Sequence, residues 1–339
     1  MIKLLSNWTG YQEKCCKIPC YLDMKKVKIG STDLEVAPIN FGGNVFGWTL
    51  DEKESFTMLD AFIGQGFNFI DTADTYSWWV TDHKGGESET VIGKWLKERG
   101  KRSEIVIATK VGSENRDHPN DISKKHILTS VEESLKRLQT DYIDLYYTHF
   151  DDKITPVEET LSAYEELIKA GKVRYIAASN LAPERLIKSL EASEKSGLPR
   201  YQALQPHYNL LERRKFEEAY APIAEKYKLS VFPYWALAAG FLTGKYRSEA
   251  DLGKSVRGTS VRQYLNERGL NVIKTLDAVA RKHESAPATV ALAWLLTQPL
   301  VTAPVVSATS KSQLETIVAA PELALDGEDI EMLNKAGAY

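Results

Sequence analysis

Six places in this chain put a polar side chain directly after a short apolar run: Asp71, Lys110, His149, the pair Ser179-Asn180, Gln205 and Tyr234. One such residue is ordinary, but a series of them is not. Asp71 and Lys110 can form an ion pair, and Tyr76 closes the stretch Asp71-Thr72-Ala73-Asp74-Thr75-Tyr76, near enough to fold back beside them. A phenol ordinarily titrates near pH ~10, and a neighbouring ammonium favours its ionised form. Lys110 is therefore expected to draw Tyr76 toward the operating pH, with Asp71 keeping the lysine charged and oriented. His149 could donate a hydrogen bond to a bound carbonyl oxygen. That set is a general acid for an oxygen on its way to an alkoxide. A Schiff-base role for Lys110 fits less well, because such a lysine must be neutral and Asp71 opposes that.

None of these groups supplies two electrons, so a cofactor is needed. Ser179, Asn180 and Gln205 suit a carboxamide, and Tyr234 offers a flat face for a nicotinamide ring. Trp235 beside it, and Gly43 and Asn44 after the first apolar run, are counted with them. The segment from Leu237 through Gly240 to Lys245 is small, glycine-bearing and ends in a cation, which suits a pyrophosphate. After the last run, Ser307, Thr309, Ser310, Lys311 and Gln313 open a helix, where hydroxyls, a cation and the helix terminus favour a phosphate. No metal is expected. The three cysteines, Cys15, Cys16 and Cys20, have no histidine near them before His83, too few ligands for zinc.

The elements that must position these residues are readable. Apolar runs at 38–41, 67–70, 105–109, 143–148, 173–178, 202–205, 229–234 and 302–306 are mostly continuous, as in parallel strands buried on both faces. Helical segments alternate with them. Ser123 can cap one whose Ile127, Val131, Leu135 and Leu138 share a face, and Thr155-Pro156 opens another. Eight strand–helix units leave two architectures. A doubly wound sheet wants Gly-x-Gly-x-x-Gly after its first strand, and Gly42-Gly43-Asn44-Val45-Phe46-Gly47 does not supply it. The expectation is an α/β chain forming a single (β/α)8 TIM barrel with long βα loops, the longest at 239–269. An N-terminal β-hairpin at 25–36, turning at Gly30-Ser31-Thr32-Asp33, would plug the floor. In a barrel the carboxyl ends of the strands meet at one mouth, which unites the polar series. Residues 24–339 then make one domain, preceded by an extension over 1–23 that shows neither period.

A net charge of -3 over 339 residues, with no basic stripe, argues against a nucleic-acid or acidic-membrane partner. No apolar run is long enough to cross a bilayer, and the start lacks a signal pattern. With no cysteine after Cys20, the expected location is the cytoplasm. Nothing in the residues fixes an oligomeric state.

From about Lys25 to the C-terminus the chain resembles the aldo-keto reductase family. The motifs are Asp71 to Tyr76, Gly85-Gly86-Glu87-Ser88-Glu89, Lys110 after Ile105-Val106-Ile107-Ala108-Thr109, Asp144 to His149, Ser179-Asn180, Gln205-Pro206-His207-Tyr208-Asn209 and Gly240 to Tyr246. The resemblance implies a catalytic tetrad of Asp71, Tyr76, Lys110 and His149. It also implies reduction of aldehydes or ketones with NADPH in preference to NADH, the nucleotide lying across the mouth. Ser179, Asn180 and Gln205 would hold the carboxamide, Tyr234 would stack on the ring, and the adenosine 2′-phosphate would lie near Ser307 to Gln313. Two positions depart from the family pattern. Ser307 stands where many members have a cation, and Ile317 where they have an asparagine. A substrate rim is expected from Trp48, Trp78, Trp79 and Phe150. Potassium-channel β subunits also resemble this family, so a nucleotide-binding regulatory subunit is the alternative to an enzyme acting on a small carbonyl substrate.

Overall fold

The structure, a computed structural model, describes residues 24–100 and 102–339; the extension proposed over 1–23 lies outside them. Strands β1 (Val27–Lys28) and β2 (Glu35–Val36) pair antiparallel, Val27 opposite Val36. Gly30 makes the turn possible. Its φ is +51°, and a Cβ there would sit 2.6 Å from the Gln202 carbonyl oxygen.

Eight more strands follow: β3 (Asn40–Gly42), β4 (Phe69–Asp71), β5 (Val106–Val111), β6 (Ile143–Thr148), β7 (Val173–Ser179), β8 (Ala203–Gln205), β9 (Ser230–Val231) and β10 (Val305–Val306). Each grows from one of the apolar runs. β9 and β10 keep only two residues each, since Pro233 and Pro304 lie in those runs and a proline cannot donate to a ladder. All neighbours are parallel, in the order β10-β3-β4-β5-β6-β7-β8-β9. Chain order is sheet order, so the reversal that defines a doubly wound sheet is missing. The two edges also meet. Thr302 donates its N–H to Val231 O (2.9 Å) and Val305 donates to Pro233 O (2.8 Å), which curls the sheet on itself.

A helix follows each strand, among them Glu87–Arg99 after β4, Lys124–Leu138 after β5 and Val157–Lys169 after β6. Ser123 caps the second of these by accepting from His126 N (3.3 Å), and its predicted apolar face is buried. Thr155 does not cap the third. Its hydroxyl turns to Asp152, and Pro156 takes the cap position. Between β9 and helix Glu267–Lys282 the long insertion runs through short 3₁₀ and helical turns.

Side chains alternate between two cores, as the twofold period of a strand requires. Ile70, Ile107, Tyr146 and Ile176 face the helices. Phe69, Ala108, Leu145, Tyr147, Ala177 and Ala203 face the other way, into one cluster with Ile29, Leu34 and Val36 of the hairpin segment. Among the described residues, no helix is long and apolar enough to cross a membrane.

Candidate active site

The same alternation builds the site. Two residues beyond Phe69 is Asp71, beyond Ala108 is Lys110, beyond Tyr147 is His149, beyond Ala177 is Ser179, and beyond Ala203 is Gln205. Each of the five therefore points inward, one layer above the apolar cluster and at the carboxyl ends of the strands. Register sets the neighbours: Lys110 lies opposite Tyr147, and Ser179 opposite Gln205.

Asp71 and Lys110 are fully buried and ion-paired. The Lys110 ammonium spends its three protons on Asp71 Oδ1, Thr72 O (2.8 Å) and the Tyr76 hydroxyl (3.0 Å). Gln205 Nε2 donates to the other Asp71 oxygen at 2.8 Å. Tyr76 reaches this pair because its loop is pinned: Thr72 and Asp74 donate their N–H groups to Ala108 O (2.8 Å) and Lys110 O (3.2 Å).

Burial would by itself discharge Lys110, but Asp71 and Tyr76 outweigh it and hold the ammonium above its ordinary range. Burial raises the Asp71 carboxyl, opposed by Lys110 and Gln205. Tyr76 departs from expectation. Lys110 pulls it down as foreseen, yet burial is the larger effect and Asp71 adds to it, so the phenol sits above 10.0. It is therefore protonated at neutral pH, the form that can donate. His149 lies with its ring centroid 6.1 Å from that of Tyr76. Burial, with Lys110 adding, keeps its imidazole well below 6.5 and so neutral. This arrangement can give a proton to an oxygen in the mouth and stabilise the phenolate left behind.

Tyr76 and His149 open onto a cavity of about 840 Å³. Of the cofactor candidates, Asn44, Ser179, Asn180, Gln205, Tyr234, Trp235, Leu237, Gly240, Lys245, Ser307, Thr309 and Gln313 line it. Gly43, Ser310 and Lys311 are not among the lining residues. Gly42 lines the wall beside Gly43, and the Lys311 side chain is 85% exposed, 3.9 Å from Glu315. The amide candidates bond one another. Asn180 Nδ2 donates to His149 O (3.1 Å) and Ser179 Oγ (3.0 Å), while its Oδ1 accepts from the Tyr234 hydroxyl (2.9 Å). Buried polar groups must pair, and these pair among themselves. Asn180 holds φ +51°, a conformation that asparagine tolerates.

Of the aromatic candidates, Trp79 and Phe150 line the cavity. Trp48 stands behind, edge-on to Trp79 at 5.5 Å, and Trp78 is half-buried away from the lining. Sequence reasoning missed two cations, Lys254 and Arg257, which line the cavity from the long insertion. Lys254 donates to Lys245 O (2.8 Å), and the Arg257 guanidinium lies 5.3 Å over the Trp48 ring with Nη2 buried and without a partner among the described residues. An irregular loop has no period to betray which side chains turn inward; two cations in a mouth-side loop were the only signal.

The sequence profile described as Aldo/keto reductase family matches residues 38–338. The chain is 36% identical over 318 residues to "Uncharacterized oxidoreductase YrpG" of Bacillus subtilis, covering 92% of this chain and 95% of that protein. It is 33% identical to "Aldo-keto reductase YhdN" of the same organism, covering 92% and 93%. It is also 32% identical to "Probable voltage-gated potassium channel subunit beta" of Arabidopsis thaliana, covering 86% and 89%.

Proposed function

The chain belongs to the aldo/keto reductase family and is an oxidoreductase, and from that premise we propose that it reduces aldehydes and ketones to alcohols with NADPH, Tyr76 giving the proton. The observation that carries this is the Lys110 ammonium 3.0 Å from a Tyr76 hydroxyl that opens onto the cavity. We take the curled sheet to be a closed (β/α)8 barrel with the hairpin as its floor.

The residues present fit a dinucleotide. Lys245, Lys254 and Arg257 put three cations around the cavity, and Arg257 Nη2 is a buried donor with no partner among the described residues. An anion would satisfy it. Tyr234, Asn180 and Ser179 would hold the nicotinamide end, and Ser307, Thr309 and Gln313 the adenosine end. Bound there, the nucleotide would supply the hydride for a carbonyl carbon. Tyr76 releases its proton to the carbonyl oxygen, and Lys110 stabilises the phenolate that remains. Asp71 keeps Lys110 charged and aimed. His149, held neutral, offers a hydrogen bond to the same oxygen. Trp79 and Phe150 form the substrate side of the mouth.

Titration with NADPH and NADH, followed by turnover of 4-nitrobenzaldehyde, tests this. Steady oxidation of the nucleotide is expected. Tight nucleotide binding with negligible turnover of an aldehyde and sugar panel would instead favour a regulatory subunit, in keeping with the name of the Arabidopsis relative.

A further inference from the structure

Tyr234 lines the cavity, but one face of its ring is already taken. The His207 imidazole is stacked on it, with ring centroids 5.3 Å apart and planes 15° from parallel. His207 is not among the residues lining the cavity. It reaches Tyr234 through the backbone, since the two residues form a parallel bridge in which Tyr234 donates its N–H to Pro206 O at 2.9 Å. The imidazole is itself held. Trp235 meets it edge-on at 5.3 Å. Asn209, fully buried, places Nδ2 3.5 Å from His207 Nε2 and donates to Trp235 O at 2.9 Å. The Asn209 Oδ1 in turn accepts from Leu211 N (2.8 Å) and Glu212 N (3.1 Å). Tyr234 is thus clamped at its hydroxyl by Asn180 and across its ring by His207.

We propose that His207 is a positioning residue for the nicotinamide end of the nucleotide: it backs the Tyr234 ring and fixes the plane on which the nicotinamide stacks. The proposal rests on the nucleotide-binding function argued above. A flat ring is what the position uses, for it contributes area and rigidity rather than a proton. Losing the backing leaves a void behind Tyr234 into which its ring can tilt, and a platform that must be ordered at binding costs affinity.

The test is binding of NADPH and of 2′,5′-ADP, which lacks the nicotinamide, by His207→Ala, His207→Phe and the unsubstituted protein, with kcat and cofactor KM measured alongside. His207→Ala is expected to weaken NADPH about 5-fold or more and to raise cofactor KM, leaving 2′,5′-ADP affinity unchanged and kcat at saturating cofactor within about twofold. His207→Phe restores the flat face and should bind NADPH within about twofold of the unsubstituted protein. Unchanged NADPH binding by His207→Ala overturns the proposal, as does equal weakening of NADPH and 2′,5′-ADP, which would mark a general structural role. If His207→Ala does not fold, weak NADPH binding by a folded His207→Phe overturns it equally. Failure of the unsubstituted protein to bind NADPH would overturn the nucleotide function and this proposal together.

Discussion

The Lys110 ammonium touches Tyr76 in two ways, 3.0 Å from the hydroxyl and 4.7 Å from the ring centroid. A cation so placed stabilises both the neutral ring and, more strongly, the phenolate that proton donation would create. The lysine cannot swing away, because Asp71 and Thr72 hold its other two protons. The phenol is the movable partner in acid–base terms, and the ion pair behind it is fixed.

Tyr76→Phe removes the proton and leaves the ring. Reductase turnover should fall by at least ~10²-fold, the usual contribution of a placed general acid. NADPH affinity should change by less than about threefold, since the ring still fills the wall. Turnover near that of the unsubstituted protein would end the assignment of Tyr76 as the acid.

Lys110→Met has two consequences that can be separated. It strands the Asp71 carboxyl in a fully buried place, which costs roughly 3–5 kcal/mol of stability. It also strips the phenolate of its stabilising charge, a loss of ~10²–10³-fold in kcat. Adding Asp71→Asn should recover much of the stability, read as Tm, while kcat stays low. Recovery of both would mean that the lysine serves the fold alone.

The pH dependence follows from two shifts of opposite direction. Tyr76 lies above its ordinary 10.0, so the donor form persists through neutral pH and kcat/KM for reduction should fall only as pH rises through that elevated value. His149 lies well below 6.5, so the mouth gains no charge from it as pH drops from 8 to 6. A flat profile between about pH 6 and 9 is expected. An acid limb that disappears in His149→Gln would show the imidazole titrating where burial should prevent it.

Much of this site is legible in sequence because a strand has a strict period. Once Phe69, Ala108 and Ala203 are known to face inward, Asp71, Lys110 and Gln205 must follow. The helices are nearly as plain, with Ser123 capping where its type predicts. Three things were not readable. The Tyr76 phenol has a net shift set by how completely the mouth excludes water, which no spacing encodes. Asn180 and Gln205 spend their amides on His149 and Asp71, a choice made by packing. Lys254 and Arg257 come from a loop without period, whereas Lys311, plausible by position, turns outward.

Arg257 gives a prediction that separates binding from folding. Burial lowers its guanidinium from the ordinary value, and Nη2 has no partner among the described residues, so the folded protein bears a cost there that an anionic ligand can relieve. Arg257→Met should leave Tm unchanged or slightly higher. It should weaken NADPH about 10-fold or more, the worth of one or two hydrogen bonds to a charged group, and flatten the salt dependence of binding. A lowered Tm with unchanged affinity would assign the arginine to the loop's own packing over Trp48.

Asp74 gives the last prediction, one about stability. Its carboxyl lies on the Tyr76 loop with Oδ1 buried and without a partner among the described residues, and burial, with the Glu89 carboxylate adding, raises it well above 3.8. Glu89 accepts from Thr109 (2.6 Å) and Arg137 (2.7 Å), and Asp74 keeps its proton to a higher pH than an exposed carboxyl does. The folded state then binds a proton more tightly than the unfolded chain. Its contribution to stability is complete below the unfolded value near 3.8 and is lost as pH rises toward the raised folded value. Asp74→Asn mimics the protonated side chain at every pH. It should match the unsubstituted protein at about pH 4 and exceed it by a few degrees in Tm at about pH 8, roughly 2–4 °C for each kcal/mol in a large domain. A Tm difference between the two proteins that stays constant from pH 4 to 8 would show that this carboxyl ionises freely inside the fold.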